Sequence, residues 1–173
     1  MRNLGKVLEY NIKQSIPSDM YYMRIKDSPA SFGQKNDTTR FTLDNPFDSL
    51  LFYNSNLFFI EMKSTQSTSI SIQFDKTEKG KMIKLHQIEA LTDARMYEIA
   101  SGFILDFRGS ETYWIDILDF NQFLNETTKK SINEDDVEKY NGIKINKQLK
   151  KVNYNYDIRK MVDDIIDRKK GDG

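Results

Sequence analysis

The sequence predicts an α/β fold, a mixed central β-sheet flanked by helices. Three observations lead there. Apolar residues near the N-terminus recur at helical spacing. Two apolar runs between residues 47 and 63 flank a two-residue turn signal. A second helical stretch is then followed by a second hairpin pattern. The order helix, three strands, helix, two strands is that of a sheet with helices packed on it.

Leu4, Val7, Leu8 and Ile12 share one helical face, which predicts a helix over 3–15, ended by Pro17. Residues 27–40 are polar, with Gly and Pro, and read as a loop. Strands are expected at 47–53 and 56–63, and a third at 69–74, where apolar and polar residues alternate. The segment 75–81, DKTEKGK, is a turn or loop. Residues 84–100 read as a helix, with Leu85, Ile88, Leu91 and Ile99 near one face. A hairpin is expected from 102–107 and 113–118 across the turn RGSE, and Asp119 is placed to cap a following helix. The rest is polar and charged, ending in a helix near 157–169.

Composition narrows the chemistry. The 173 residues suit one compact domain, and 38% hydrophobic residues are enough to build its core. With no cysteine there is neither a disulfide frame nor a Cys-based zinc site. The lone histidine, His86, rules out a His-rich metal centre. A bound metal would have to rest on oxygen ligands, which favours magnesium or manganese. No apolar run approaches a membrane span, and the N-terminus lacks the apolar centre of a secretory signal, so a cytoplasmic protein without membrane partners is expected.

The informative stretch is 45–65, NPFDSLLFYNSNLFFIEMKST. With Asn54-Ser55 as a two-residue loop, paired positions sum to a constant, so Asp48 falls opposite Glu61. Carboxylates so placed have Cβ atoms about 5 Å apart, and their repulsion calls for a cation between them. Side-chain alternation puts Lys63 on the same face as Glu61. Asp48 and Glu61 are therefore candidate ligands of a divalent ion that activates water at a phosphodiester. Lys63 is a candidate to orient that water or offset developing charge.

Asp48…Glu61-x-Lys63 resembles the core of PD-(D/E)xK nucleases, with Pro46-Phe47-Asp48 as a loosened "PD". Other segments resemble the RecU-like Holliday junction resolvases of phages. These are GKVLE at 5–9, YYMRIKDS at 21–28, NPFD at 45–48, KST at 63–65, His86-Gln87 and VNYNYDIRK at 152–160. The similarity runs from about residue 3 to 160.

The resemblance implies a restriction-endonuclease-like core and a metal-dependent DNA endonuclease. It assigns Glu9 as a further metal-site carboxylate, the Met62 carbonyl as a ligand and Gln87 as an active-site side chain. Ser64 and Thr65 are expected to contact DNA. It also implies branched or duplex DNA as partner and a homodimer. The resemblance has one departure: only residues 16–47 are available for the stalk of bacterial RecU proteins, so any stalk is short. Two other readings share these motifs: a nicking, flap-cutting or restriction-type nuclease of the same superfamily, and a non-catalytic DNA-binding accessory protein. Intact Asp48, Glu61 and Lys63 speak against the last.

Charge is balanced overall, 26 basic against 26 acidic residues. The balance is uneven along the chain, because residues 127–173 hold 12 basic and 9 acidic side chains. We expect a nuclease core over 1–126 and a basic extension over 127–173, packed on or near it. Lys144, Lys147, Lys150, Lys151, Arg159 and Lys160, opposed within their own stretch by Asp157 alone, are candidates for phosphate contact, as are Lys76, Lys79, Lys81 and Lys84. A solvated surface is the ordinary alternative for either cluster. Asp44 is read as a loop acid, His86 as a neighbour of Gln87 and Trp114 as core.

Overall fold

A computed structural model describes residues 3–25 and 45–171. The expected loop at 27–40, Asp44 and the end of the 21–28 segment lie outside the described residues. Helix α1 (Leu4–Ser15) leads into β1 (Tyr21–Arg24), β2 (Ser49–Tyr53), β3 (Asn56–Thr65) and β4 (Ser69–Ser71). Then come α2 (Leu85–Arg95), β5 (Ala100–Phe107), β6 (Thr112–Asp116) and α3 (Ile117–Glu126). The chain finishes with β7 (Ser131–Asn133), α4 (Glu134–Lys139), β8 (Ile143–Lys144), β9 (Lys147–Lys150), β10 (Asn153–Tyr156) and α5 (Ile158–Gly171).

The main sheet has the order β1-β2-β3-β5-β6-β8. β3 and β5 run parallel, and the other neighbours are antiparallel, so the sheet is mixed as expected. Every residue of β5 is buried, as a strand covered on both faces requires. Residues of α1 and α5, among them Leu8, Ile12, Val162 and Ile166, pack with Leu51, Phe58, Ile60, Met62 and Ile104 on one face. Ile88, Leu91, Phe120 and Phe123 of α2 and α3 pack with Phe103, Leu105 and Phe107 on the other.

The β2–β3 hairpin turns on Asn54 and Ser55, both at positive φ (46° and 60°), the backbone of a tight two-residue loop. Its register pairs Tyr53 with Asn56 and Ser49 with Ile60, where the regular pairing ends; the expected Asp48–Glu61 pair is not part of it. Asn3 caps α1, its side chain accepting from the Lys6 N–H at 3.3 Å.

Four local expectations are corrected. The third strand leaves the main sheet: β4 pairs with β7, because the long apolar β5 takes the place beside β3. The helix expected over 84–100 stops at Arg95; Glu98 turns to positive φ and Ala100 already opens β5. The cap of α3 is Asp116, whose side chain accepts from Leu118 N–H at 2.9 Å, so the strand expected to reach 118 ends sooner. Asp119 lies in the first turn, where its charge suits the helix N-terminus. Finally, β1, an edge strand, forms in a stretch where the residue pattern alone predicts none. Residues 127–173 supply β8 to the main sheet and α5 to its apolar face.

Candidate active site

The end of the β2–β3 hairpin away from its turn gathers the acidic residues. The Asp48 N–H donates to the carbonyl of Ile60, the residue that Ser49 already faces, at 3.1 Å, so two residues of one strand address one of the other and the regular ladder stops there. Its carboxylate Oδ2 then accepts from the Met62 N–H at 2.7 Å, so a side chain takes over where the strand's own backbone pairing stops. An extended residue presents its N–H and C=O to the same strand edge. The Met62 carbonyl therefore leaves β3 on the side of Asp48.

Glu61 is 2% exposed. Lys63 Nζ lies 2.7 Å from its Oε1, and Gln87 Nε2 donates to the same oxygen at 2.5 Å. Gln87 is itself held at the start of α2, where its Oε1 accepts from the Lys84 N–H at 3.0 Å. Burial pushes the Glu61 carboxyl up to about 7. The Lys63 charge opposes this, while repulsion from Asp48 and a hydrogen bond shared with Asp48 add to it. Burial and the neighbouring Asp48 thus both favour the protonated form of Glu61. Two carboxyls and an adjacent backbone carbonyl form an all-oxygen donor set suited to a hard divalent ion.

The structure unites Asp48, Glu61, Lys63 and Gln87. Glu9 is held by an ion pair, its carboxylate Oε2 2.5 Å from Arg24 Nε on β1. Among the described residues no group of three acidic or histidine side chains forms a metal cage. Burial chiefly holds the Tyr22 hydroxyl above the ordinary tyrosine range, and the charges of Glu9 and Asp48 add to this. Arg24 carries no signal of its own in the sequence beyond its place in the 21–28 segment.

Candidate DNA contacts divide by partner. Ser64 and Thr65 are buried, and Ser64 is bonded to Asp106 and Arg108. Lys76 and Lys79 are exposed, and Lys81 and Lys84 half-buried, on the loop leading into α2. Lys144 pairs with Glu111 at 2.7 Å, Arg159 with Asp19 and Lys160 with Asp164 at 2.6 Å. Lys147 turns inward to Asp106 at 3.3 Å. Lys150 and Lys151 stand exposed at the tip of the β9–β10 hairpin. Trp114 is core, as expected, and His86 half-buried.

No family model matches the sequence. The chain is 32% identical over 179 residues to the SPbeta prophage-derived uncharacterized protein YotM of Bacillus subtilis strain 168. That alignment covers 95% of this chain and 87% of YotM. The chain belongs to the YotM family. Among solved structures, this YotM-family fold is similar to Archaeoglobus fulgidus Hjc, a Holliday junction resolvase from an archaeal hyperthermophile. The TM-score is 0.47 at 15% identity, over 80% of this chain and 91% of that one. No described helix is long and apolar enough to cross a membrane.

Proposed function

We propose that this YotM-family protein is a metal-dependent DNA endonuclease of the PD-(D/E)xK type, cutting branched DNA as a RecU-like, phage-type Holliday junction resolvase. The observation that carries the reading is Asp48 held on the Met62 N–H next to Glu61, with Lys63 on the same Glu61 oxygen as Gln87. The ordered set of resolvase-like segments supports it, as does a relative named for a prophage.

Asp48, Glu61 and the Met62 carbonyl would hold Mg2+ or Mn2+, with Glu9, paired with Arg24, as a further carboxylate. The ion's chemistry is to lower the pKa of a bound water and neutralise charge on the phosphate. Gln87 fixes the rotamer of Glu61 from one side. Lys63 Nζ keeps donors beyond its bond to Glu61, and these are placed to orient the water or stabilise charge developing on the phosphate oxygens. Two symmetric cuts in a four-way junction need two sites, which a twofold homodimer supplies.

The test is cleavage with magnesium on four-way junction, duplex, flap and single-stranded DNA in parallel. Symmetric nicks confined to the junction are expected. Preference for flap or duplex would replace the junction reading with another nuclease of the same active site. No cleavage of any of them, with magnesium or manganese, would overturn the enzyme.

A further inference from the structure

Side chains alternate along β3, so Ser64 lies on the face opposite Lys63. On that face β3, β5 and β6 bring Ser64, Asp106 and Thr112 into one row across the sheet. All three are buried. Ser64 Oγ donates to Asp106 Oδ2 at 2.8 Å and Thr112 Oγ1 to Asp106 Oδ1 at 2.7 Å. Lys147 Nζ reaches Asp106 Oδ1 at 3.3 Å and Thr112 Oγ1 at 3.0 Å. Arg108 Nε donates to Ser64 Oγ at 3.1 Å and stands 3.9 Å from Asp106 Oδ2. Among the described residues, two cations thus share one carboxylate, which leaves one positive charge over.

Beside this row is a cavity of about 170 Å³, bordered by Asn11, Asp106, Arg108, Gly109, Lys147 and Tyr154. It is several times the space of one water. Asn11, 3% exposed, lies in its wall, and its Oδ1 has no hydrogen-bond partner. A buried amide without a partner costs free energy unless something fills the space beside it. Half a turn of the amide brings its N–H donors to the same space. Excess positive charge, an arginine fork and an amide donor suit an oxyanion with several acceptor atoms.

We propose that this cavity binds a phosphate group of the nucleic-acid backbone, with Arg108 as its main contact and Asn11 at its floor. Ser64, which holds Arg108, directly follows Lys63, so one strand supports both this cavity and the candidate active site, on opposite faces. The exposed Lys150 and Lys151, at the tip of the hairpin that carries Tyr154, extend the positive path outward. The assignment rests on the nuclease reading for its ligand and not for its geometry.

The experiment measures fluorescence anisotropy of a labelled four-way junction with the full chain, its Arg108→Gln variant and its Asn11→Asp variant, over a salt series without divalent metal. Arg108→Gln should weaken binding about tenfold and flatten the log–log salt slope by about 0.9, the share of one phosphate contact. Asn11→Asp, nearly isosteric, should weaken it by setting negative charge in the cavity, and Arg108→Lys should recover part of the loss. In a second arm, inorganic phosphate should shift the NMR signals of the Asn11 amide and Arg108 Nε in the wild type. Unchanged affinity and slope in both Arg108→Gln and Asn11→Asp would overturn the site while leaving junction cleavage intact. Shifts with inorganic phosphate but no junction binding would overturn the nucleic-acid ligand. An absence of junction binding and cleavage with no phosphate response would remove the nuclease reading and the site together.

Discussion

Glu61 and Asp106 are both buried carboxylates in the middle of one sheet, 2% and 4% exposed, yet they are solvated by the protein in opposite ways. Both oxygens of Asp106 are bonded, to Ser64 on one side and to Thr112 and Lys147 on the other. Glu61 receives both its donors, Lys63 and Gln87, on one oxygen, and meets a second carboxyl, Asp48, as well. A buried charge is tolerated when it is paired and fully hydrogen-bonded. Asp106 meets that condition within the chain. Glu61 meets it only by holding a proton, or a cation in its place. The difference separates a structural acid from one kept for chemistry.

Removing a carboxylate from each side breaks the comparison most directly. Asp48→Ala should reduce magnesium-dependent cleavage to background while junction binding and folding persist; full activity in this variant would sink the metal assignment. On the other face, Asp106→Ala should strip Lys147 of its partner, and losing one member of a buried pair costs about 3–5 kcal/mol. Chemical denaturation would show that loss, and an unchanged midpoint would mean that Lys147 swings out to solvent.

Lys63→Ala sharpens the chemical side. A preorganised group acting on the transition state contributes about 2–4 kcal/mol, seen in kcat rather than in affinity. A loss confined to DNA affinity would make Lys63 a phosphate anchor.

The smallest effect is on the stability of the metal-free protein. Because the folded Glu61 holds its proton up to about 7, above the ordinary glutamate value of 4.5, its contribution is present at low pH and lost as pH rises through that window. Glu61→Gln should therefore flatten the fall in thermal stability between those pH values. If the mutant's curve ran parallel to the wild type's, Glu61 would titrate as an ordinary acid.

Much of the candidate site was legible before any coordinates. An Asn-Ser loop sets a two-residue turn, the turn sets the register, and strand alternation sets the faces. That local chain of reasoning brings Asp48, Glu61 and Lys63 to one end of the hairpin, and the helical spacing of Leu4, Val7, Leu8 and Ile12 places α1. Local pattern also misled in places. The alternation of Ser69, Ile70 and Ser71 marks a strand without saying which sheet it joins, and β5 outcompeted it for the place beside β3 through a longer apolar ladder.

The basic tail shows why the remainder needed the fold. Lys144, Lys147, Arg159 and Lys160 look one-signed along the chain because only Asp157 lies among them. In space they meet Glu111, Asp106, Asp19 and Asp164, three of which lie far away in sequence. In the same way Glu9 turns to Arg24 across the α1–β1 connection. Periodicity by itself determined α1 and the strands and turn of the β2–β3 hairpin, because backbone geometry repeats every two or 3.6 residues. Only the tertiary structure decided which charges are matched, because a long lysine or arginine side chain chooses its partner by proximity after folding, and no spacing in the sequence encodes that choice.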